Sequence, residues 1–148
     1  MLSISHALTG AFIADKIGSP LIYIPLVLAS HYIEDAIIHW DVGTGLSNGT
    51  RKKSTAMFLE IFDMLLAVGL VFWFFQSMRT GINVNAWFGA FVGLLPDFME
   101  APRNFLKWNP WWLKPFNDFH HNFHRSTPDM LLGLAPQIVV IAFIFFVK

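Results

Sequence analysis

The chain alternates long apolar runs with short polar stretches, and the runs carry the punctuation of helices. Ser3 to Ile17 predicts a first helix, with Ser3 or Ser5 offering an N-cap and Gly18-Ser19-Pro20 a stop. Pro20 opens a second helix that the pattern extends to about Trp40, with Pro25 close enough to its start to be tolerated or to kink it. Asp41 to Lys53, with three glycines, Asn48 and the basic triplet Arg51-Lys52-Lys53, reads as a polar loop. Ser54 to about Met78 gives a third helix, whose apolar stretch is interrupted near its start by Glu60 and Asp63. Gly81 to Leu95 gives a fourth, ended at Pro96-Asp97 because the residue before a proline is pushed out of the helical region. Phe98 to Thr127 is the least regular stretch, holding Pro102, Pro110, Pro115, the cluster Trp108, Trp111 and Trp112, and then His120 to Arg125. Met130 to Val147, containing Pro136 and Gln137, is an apolar run long enough to cross most of a bilayer, with Lys148 as its anchor.

Composition turns this helical pattern toward the membrane. Hydrophobic residues make up 55% of the chain and charged residues 14%, where an average soluble domain has about 25% charged. The expectation is an all-α, polytopic membrane bundle of about five helices, one integral domain over residues 1–148. Net charge is zero, which leaves no field favouring nucleic acid as a partner, and no basic stripe with interleaved aromatics supplies one locally. The chain has no cysteine, so any metal must be held by His, Asp and Glu. Met1 to His6 lacks the basic region of a secretory signal, so the mature chain is expected to begin at Met1.

The chemistry concentrates at the end of the second helix. His31, Asp35 and His39 are spaced i, i+4, i+8, one stripe on a helix, with Glu34 on its flank. Two imidazoles and a carboxylate on one face form a metal-ligand set, and zinc is the expected divalent metal. At about 1.5 Å per residue His31 is expected about 12 Å deeper than His39. Short cytoplasmic loops carry an excess of Lys and Arg, so Arg51 to Lys53, and separately Arg103, Lys107, Lys114 and Arg125, place their loops inside. All six histidines then gather toward one face, as do Asp35, Glu60, Asp63 and Asp97. In the last histidine cluster His120 and His124 are favoured as ligands over His121. Glu60 and Asp63 are candidates for orienting a ligating imidazole, and the tryptophans for an interfacial belt.

The motifs also resemble a family. Ser-His-Ala-Leu-Thr-Gly at Ser5 to Gly10, Ser-His-x-x-x-Asp at Ser30 to Asp35, Leu-Leu-Pro-Asp at Leu94 to Asp97 and the His120 to Arg125 cluster look like those of the membrane-bound metal-dependent hydrolases. That family is distantly similar to zinc-dependent phospholipase C. The resemblance implies metal-binding roles for His6, His31, Asp35, Asp97, His120 and His124. The chain departs from the familiar pattern in following Pro96-Asp97 with Phe98-Met99-Glu100, and in placing Ser-His-x-x-x-Asp before the Pro-Asp motif.

Together these readings predict a metal-dependent hydrolase in the cell membrane, its site facing the cytoplasm. It would act on a small-molecule or lipid-like ester or phosphoester in contact with membrane lipid. His6, His31, Asp35, His39, Asp97, His120 and His124 would hold metal, and Glu34 or Asp41 would act as general base. The alternatives are a non-catalytic metal-binding or metal-transporting membrane protein and a structural protein whose histidines are interfacial filler. A transporter would need ligands across the bilayer, with Glu60 and Asp63 as the acids able to extend a path inward.

Overall fold

The computed structural model describes residues 1–46 and 48–148; Ser47, in the expected 41–53 loop, lies outside the described residues. Among the described residues the fold is all-helical, with six helices where about five were expected. They are α1 (Ser3–Ile17), α2 (Pro20–Ala36), α3 (Lys53–Val71), α4 (Val84–Leu106), α5 (Lys114–Phe123) and α6 (Met130–Val147). A π-helical turn, Phe72–Gln76, prolongs α3. The described residues form no strand, only one isolated parallel bridge between His39 and Ser126. Two helices, Lys53–Gln76 and Met130–Val147, are long and apolar enough to cross a membrane. Large apolar side chains face outward on both, among them Phe58, Leu65, Trp73, Leu131 and Phe146.

α1 is the central element, packed by α2, α3, α4 and α6, and its small residues make this possible. At the crossing with α4, a Cβ on Gly10 would lie 2.2 Å from the Gly89 carbonyl oxygen, and one on Gly93 would lie 2.4 Å from that of His6. The two backbones touch, an approach that only small residues at the crossing allow. Ala7, Leu8, Ala11, Ala86, Ala90 and Leu94 complete this core.

The start of α1 is capped from another helix. Its N-cap position is Leu2, without a side-chain cap, not Ser3 or Ser5. The first amides are met instead by Asp63 of α3, whose carboxylate accepts from Ser3 N (2.6 Å) and Ile4 N (3.4 Å), while Ser3 Oγ donates to Glu60 (2.8 Å). Carboxylates satisfy orphan amides and suit the positive end of the helix dipole. Glu60 and Asp63 thus hold the segment that carries His6 rather than orienting an imidazole.

Three boundaries differ from the sequence pattern. α2 ends at Ala36, short of Trp40, because the chain leaves in extended form at Ile37. The segment after it pairs with residues 125–127: Arg125 N donates to Asp35 O (3.0 Å), His39 N to Arg125 O (3.1 Å) and Thr127 N to His39 O (2.8 Å). α4 does not stop before Pro96 but runs through Pro96 and Pro102 to Leu106, so Asp97 sits mid-helix. The continuous fit against α1 outweighs the lost amide, which frees the Val92 carbonyl instead of ending the helix. The stretch 98–127, expected to be irregular, contributes the last turns of α4 and all of α5.

Gln137 of α6 ties these parts together. Its Nε2 donates to Trp40 O (2.7 Å) and Gly133 O (2.9 Å), and its Oε1 accepts from Leu2 N (2.8 Å). One buried amide therefore links α6, the start of α1 and the extended segment bearing His39.

Candidate metal centre

Five imidazoles and five carboxylates from four helices and one extended segment converge at one end of the bundle. α2 supplies His31 and Asp35 one turn apart, α4 supplies Asp97 and Glu100 on one face, and α5 with its C-cap supplies His120 and His124. His39 and Asp41 come from the extended segment and His6 from α1. His6, His31, Asp35, His39, Asp41 and His120 are all buried, so their polar atoms must be satisfied within the cluster.

The imidazoles are held so that Nε2 faces inward. His31 Nδ1 donates to Gly93 O (2.7 Å) and His39 Nδ1 to Ile37 O (2.8 Å). A carbonyl only accepts, so these contacts fix the protonated nitrogen and leave a lone pair on Nε2 of the neutral ring. His120 Nδ1 lies 3.0 Å from Glu100 Oε2 and His6 Nδ1 lies 2.8 Å from Glu34 Oε2, the same arrangement with carboxylates. Outer partners of this kind are what orient metal-binding histidines.

Two ligand sets result, sharing Asp35. In the first, His31 Nε2 and His120 Nε2 are 3.3 Å apart, with Asp35 Oδ2 at 3.4 and 2.7 Å from them and Asp97 Oδ1 at 3.8 and 3.7 Å. In the second, His39 Nε2 and His124 Nε2 are also 3.3 Å apart, with Asp41 Oδ2 at 3.4 and 3.2 Å and Asp35 Oδ1 at 3.8 Å from His39. His31, Asp35, Asp97 and His120 in the first set, and Asp35, His39 and His124 in the second, each bring their ligand atoms close enough together to share one ion. Two nitrogens about 2.0–2.1 Å from a tetrahedral ion stand about 3.3–3.4 Å apart, so both imidazole pairs have the edge length of a zinc tetrahedron. Each Asp35 oxygen addresses a different set.

The electrostatics fit a cation as well. Asp41 Oδ2 is buried without a hydrogen-bond partner and is aimed at two ring nitrogens. Burial alone would raise its carboxyl, but the His124 and His39 imidazoles hold it well below the usual carboxylate range. Asp35 is fully buried and also receives the Met1 amine, while His6 Nε2 lies 3.2 Å from its Oδ1. Buried carboxylates gathered this closely need compensating positive charge, which divalent ions would supply.

The expected site residues fall into groups. His31, Asp35, Asp97 and His120 form one set; His39 and His124 join Asp35 in the other. His39 reaches it from beyond the helix, so the expected difference in depth from His31 does not exist: both rings meet at Asp35. His6 touches Asp35 and stacks on His31 with ring centroids 3.9 Å apart, outside both sets. Asp41 stands beside His39 and His124. Glu34 is turned to His6 Nδ1 and the Thr9 hydroxyl. His121 is exposed and belongs to neither set, though it lines the cavity that Asp97 and His124 also line.

Glu100, Gly93 and Gln137 were not singled out as site residues from the sequence. The signal for Glu100 was its i, i+3 spacing from Asp97, legible only once α4 is known to continue past Pro96. Glu100→Gln is expected to weaken metal binding about 10–100-fold in the half containing His120 and to leave the His39 half unchanged. A chelator-competition titration should show two steps, of which one moves; a variant with both steps in place would refute the orienting role.

No family model, curated protein or solved structure matches the chain.

Proposed function

We propose that this chain is a polytopic membrane protein carrying a dinuclear zinc centre, which hydrolyses an ester or phosphoester close to the cytoplasmic leaflet of the cell membrane. The observation that carries the reading is the pair of His–His edges of 3.3 Å, joined by the two oxygens of Asp35. A resemblance of the Ser5 to Gly10, Ser30 to Asp35 and Leu94 to Asp97 motifs to membrane-bound metal-dependent hydrolases supports it. So does the outward apolar surface of α2, α3, α4 and α6, with Leu21, Ile33, Phe62, Phe91 and Val139 all exposed. The site end also gathers Arg51, bonded to Val42 O (2.6 Å), and Arg103, paired with Glu100, while Asp15 and Arg79 pair at 2.8 Å at the other end. That bias favours a cytoplasmic orientation for the site.

Zinc ions bound there supply Lewis-acid polarisation and make a water molecule acidic enough to react near neutral pH. The chain's own residues then divide the work. Asp97 and His124, both partly exposed, leave the centre open toward a cavity of about 730 Å³ that they help to line. Asp41, one of the two candidate bases, lines the same cavity; its Oδ2, 3.4 and 3.2 Å from His39 and His124 Nε2 and held well below the usual carboxylate range, serves the second ligand set rather than taking a proton from water. Glu34, engaged by His6 and Thr9, orients His6. A transport path is not favoured, because the acids it would need, Glu60 and Asp63, are spent on capping α1.

The test is elemental analysis of detergent-purified protein beside a His31→Ala, Asp35→Ala double variant. Wild type should hold close to two zinc ions per chain and the variant none, with phosphoesterase and esterase activity following the metal. A folded wild type that holds no metal after zinc is added back would overturn the proposal.

A further inference from the structure

α5 differs from the other helices in length and in how its side chains are sorted. It has 10 residues. At about 1.5 Å per residue it reaches about 15 Å, half the hydrocarbon thickness of a bilayer, and cannot cross one. Its side chains form three stripes. Leu113 at the N-cap, Asn117, His120 and His124 follow at i, i+4, i+7 and i+11 and turn toward the protein, the first three buried. Phe116, Phe119 and Phe123, at i, i+3 and i+7, form an exposed aromatic stripe. Lys114, Asp118, His121 and Asn122 form an exposed polar one, in which Lys114 pairs with Asp118. At 3.6 residues per turn the aromatic stripe lies about 110° to one side of the buried stripe and the polar stripe about 115° to the other.

Little apolar burial holds this helix to the protein. α5 itself buries Asn117 and His120 and no apolar residue. Tyr32 of α2 meets Phe119 and Phe123 with ring centroids 5.0 and 5.7 Å apart, and Arg103 of α4 donates to Asn117 O (3.4 Å). Yet α5 and its C-cap supply one imidazole to each ligand set, His120 to the first and His124 to the second. A segment with so few buried apolar contacts opens easily unless something else covers it.

We infer that α5 is seated in the membrane–water boundary, its phenylalanine stripe in lipid and its polar stripe in water, and that this seating holds His120 and His124 in register for both metals. The seating is argued from α5 alone; the coupling rests on the metal-centre reading. Three observations select lipid over a second copy of the chain or another protein. Apolar and polar stripes on opposite flanks of a buried one suit a helix lying along the boundary, which meets lipid on one side and water on the other. The turn leading into α5 presents Trp108, Trp111 and Trp112, with Trp111 86% exposed, between Lys107 and Lys114, the mixture found at headgroup level. The aromatic stripe also continues an outward apolar surface: exposed Phe88, Phe91 and Phe98 follow one another along α4 at ring distances of 6.2 and 6.1 Å, and exposed Leu106 leads into the tryptophan turn. Lys114 and Asp118 cancel in charge, so the lipid surface itself, and no particular headgroup charge, is the partner.

The chain has no cysteine, so a single introduced one carries a nitroxide label at a chosen place. In the full chain in phosphatidylcholine nanodiscs, labels at Phe116→Cys and Asp118→Cys are compared for collision with oxygen, which concentrates in lipid, and with a nickel chelate, which stays in water. The label at 116 is expected to meet oxygen and be shielded from nickel, and the label at 118 to do the opposite. Nickel access at both positions would overturn the seating. Shielding of the 116 label from both reagents would place a protein there, a second copy or another partner, and overturn it too. The coupling is read from zinc titrations against a chelator. Trp111→Ser with Phe116→Ser, both outside the cluster, should weaken both zinc steps at least tenfold, and Trp111→Phe with Phe116→Leu should restore them at equal helical content. Phe116→Ser alone should move both steps in the same direction and decides the coupling where the double variant does not fold. Movement of one step or neither would overturn it. Labels placed as expected on protein that binds no zinc would refute the metal centre and leave the seating; zinc-loaded protein with nickel access at both positions would do the reverse.

Discussion

Replacing Asp35 by Asn is expected to empty both halves of the metal centre at once, whereas His120→Ala and His39→Ala should each empty one. The asymmetry follows from where Asp35 stands. Its Oδ2 lies with His31 and His120 and its Oδ1 with His39, so a single carboxylate serves both sets. Asparagine keeps the shape and the helix but removes the charge and offers one oxygen instead of two. Loss of an outer partner costs about 10–100-fold in metal affinity, so loss of a shared ligand should cost more than about 100-fold in each half. Stability should follow occupancy: a metal present at about 100 times its dissociation constant adds about 2.7 kcal/mol, so emptying two sites should produce a large drop in the unfolding midpoint. Asp35 also pairs with the Met1 amine, and losing that contact would destabilise the protein without any metal. Chelation separates the two causes. Wild type stripped of metal should lose most of the stability that Asp35→Asn loses, and the variant should not respond to chelator. A variant that keeps one metal, or a wild type indifferent to chelation, would refute the bridging role.

The parts of this centre legible in the sequence are those whose geometry is local. His31 and Asp35 share a helix one turn apart, and the spacing alone brought them together. The bounds of α1 and α6 also followed from the Gly18-Ser19-Pro20 stop and from the apolar run after Asp129, whose side chain caps Leu132 N (3.1 Å). What was not legible depends on partners distant in the chain. Ile37 and Ile38 continue the apolar pattern of α2, yet the chain turns extended there because Arg125 and Thr127 offer it backbone pairing. Pro96 has the local signature of a helix end and is carried through by contacts with α1. Glu60 and Asp63 look like a functional acid pair, and only the fold reveals that Ser3 and Ile4 are their partners. His39 shows the cost of assuming a helix: its spacing fitted a stripe, and it reaches the same carboxylate by another route.

Gly89→Val should be the most damaging substitution outside the centre, and it should cost metal as well as stability. A Cβ at Gly89 would stand 2.3 Å from the Gly10 carbonyl oxygen and 2.4 Å from Ala14 Cβ. The obstacle is backbone, which cannot swing aside, so α1 and α4 must separate. Overpacking usually costs about 1–3 kcal/mol, and a clash with helix backbone belongs at or above the top of that range. One turn further along α4, the Gly93 carbonyl accepts from His31, and Gly93 itself rests against the His6 carbonyl. A helix displaced at position 89 therefore moves the group that sets the His31 ring, together with Asp97 beyond it. Zinc affinity in the half containing His31 should fall, while the His39 half, which takes its imidazoles from the extended segment and the end of α5 and shares only Asp35 of α2, should be spared. Gly69→Ala is the matched control: nothing lies within 4 Å of a Cβ there, so it should raise stability by about 0.5–1 kcal/mol, the ordinary gain of alanine over glycine in a helix. Unfolding midpoints and metal titrations of the two variants decide the matter. Opposite signs, with one metal step moved in Gly89→Val alone, are the expected outcome; near-neutral behaviour of Gly89→Val would mean that the close crossing of α1 and α4 is not what sets the site.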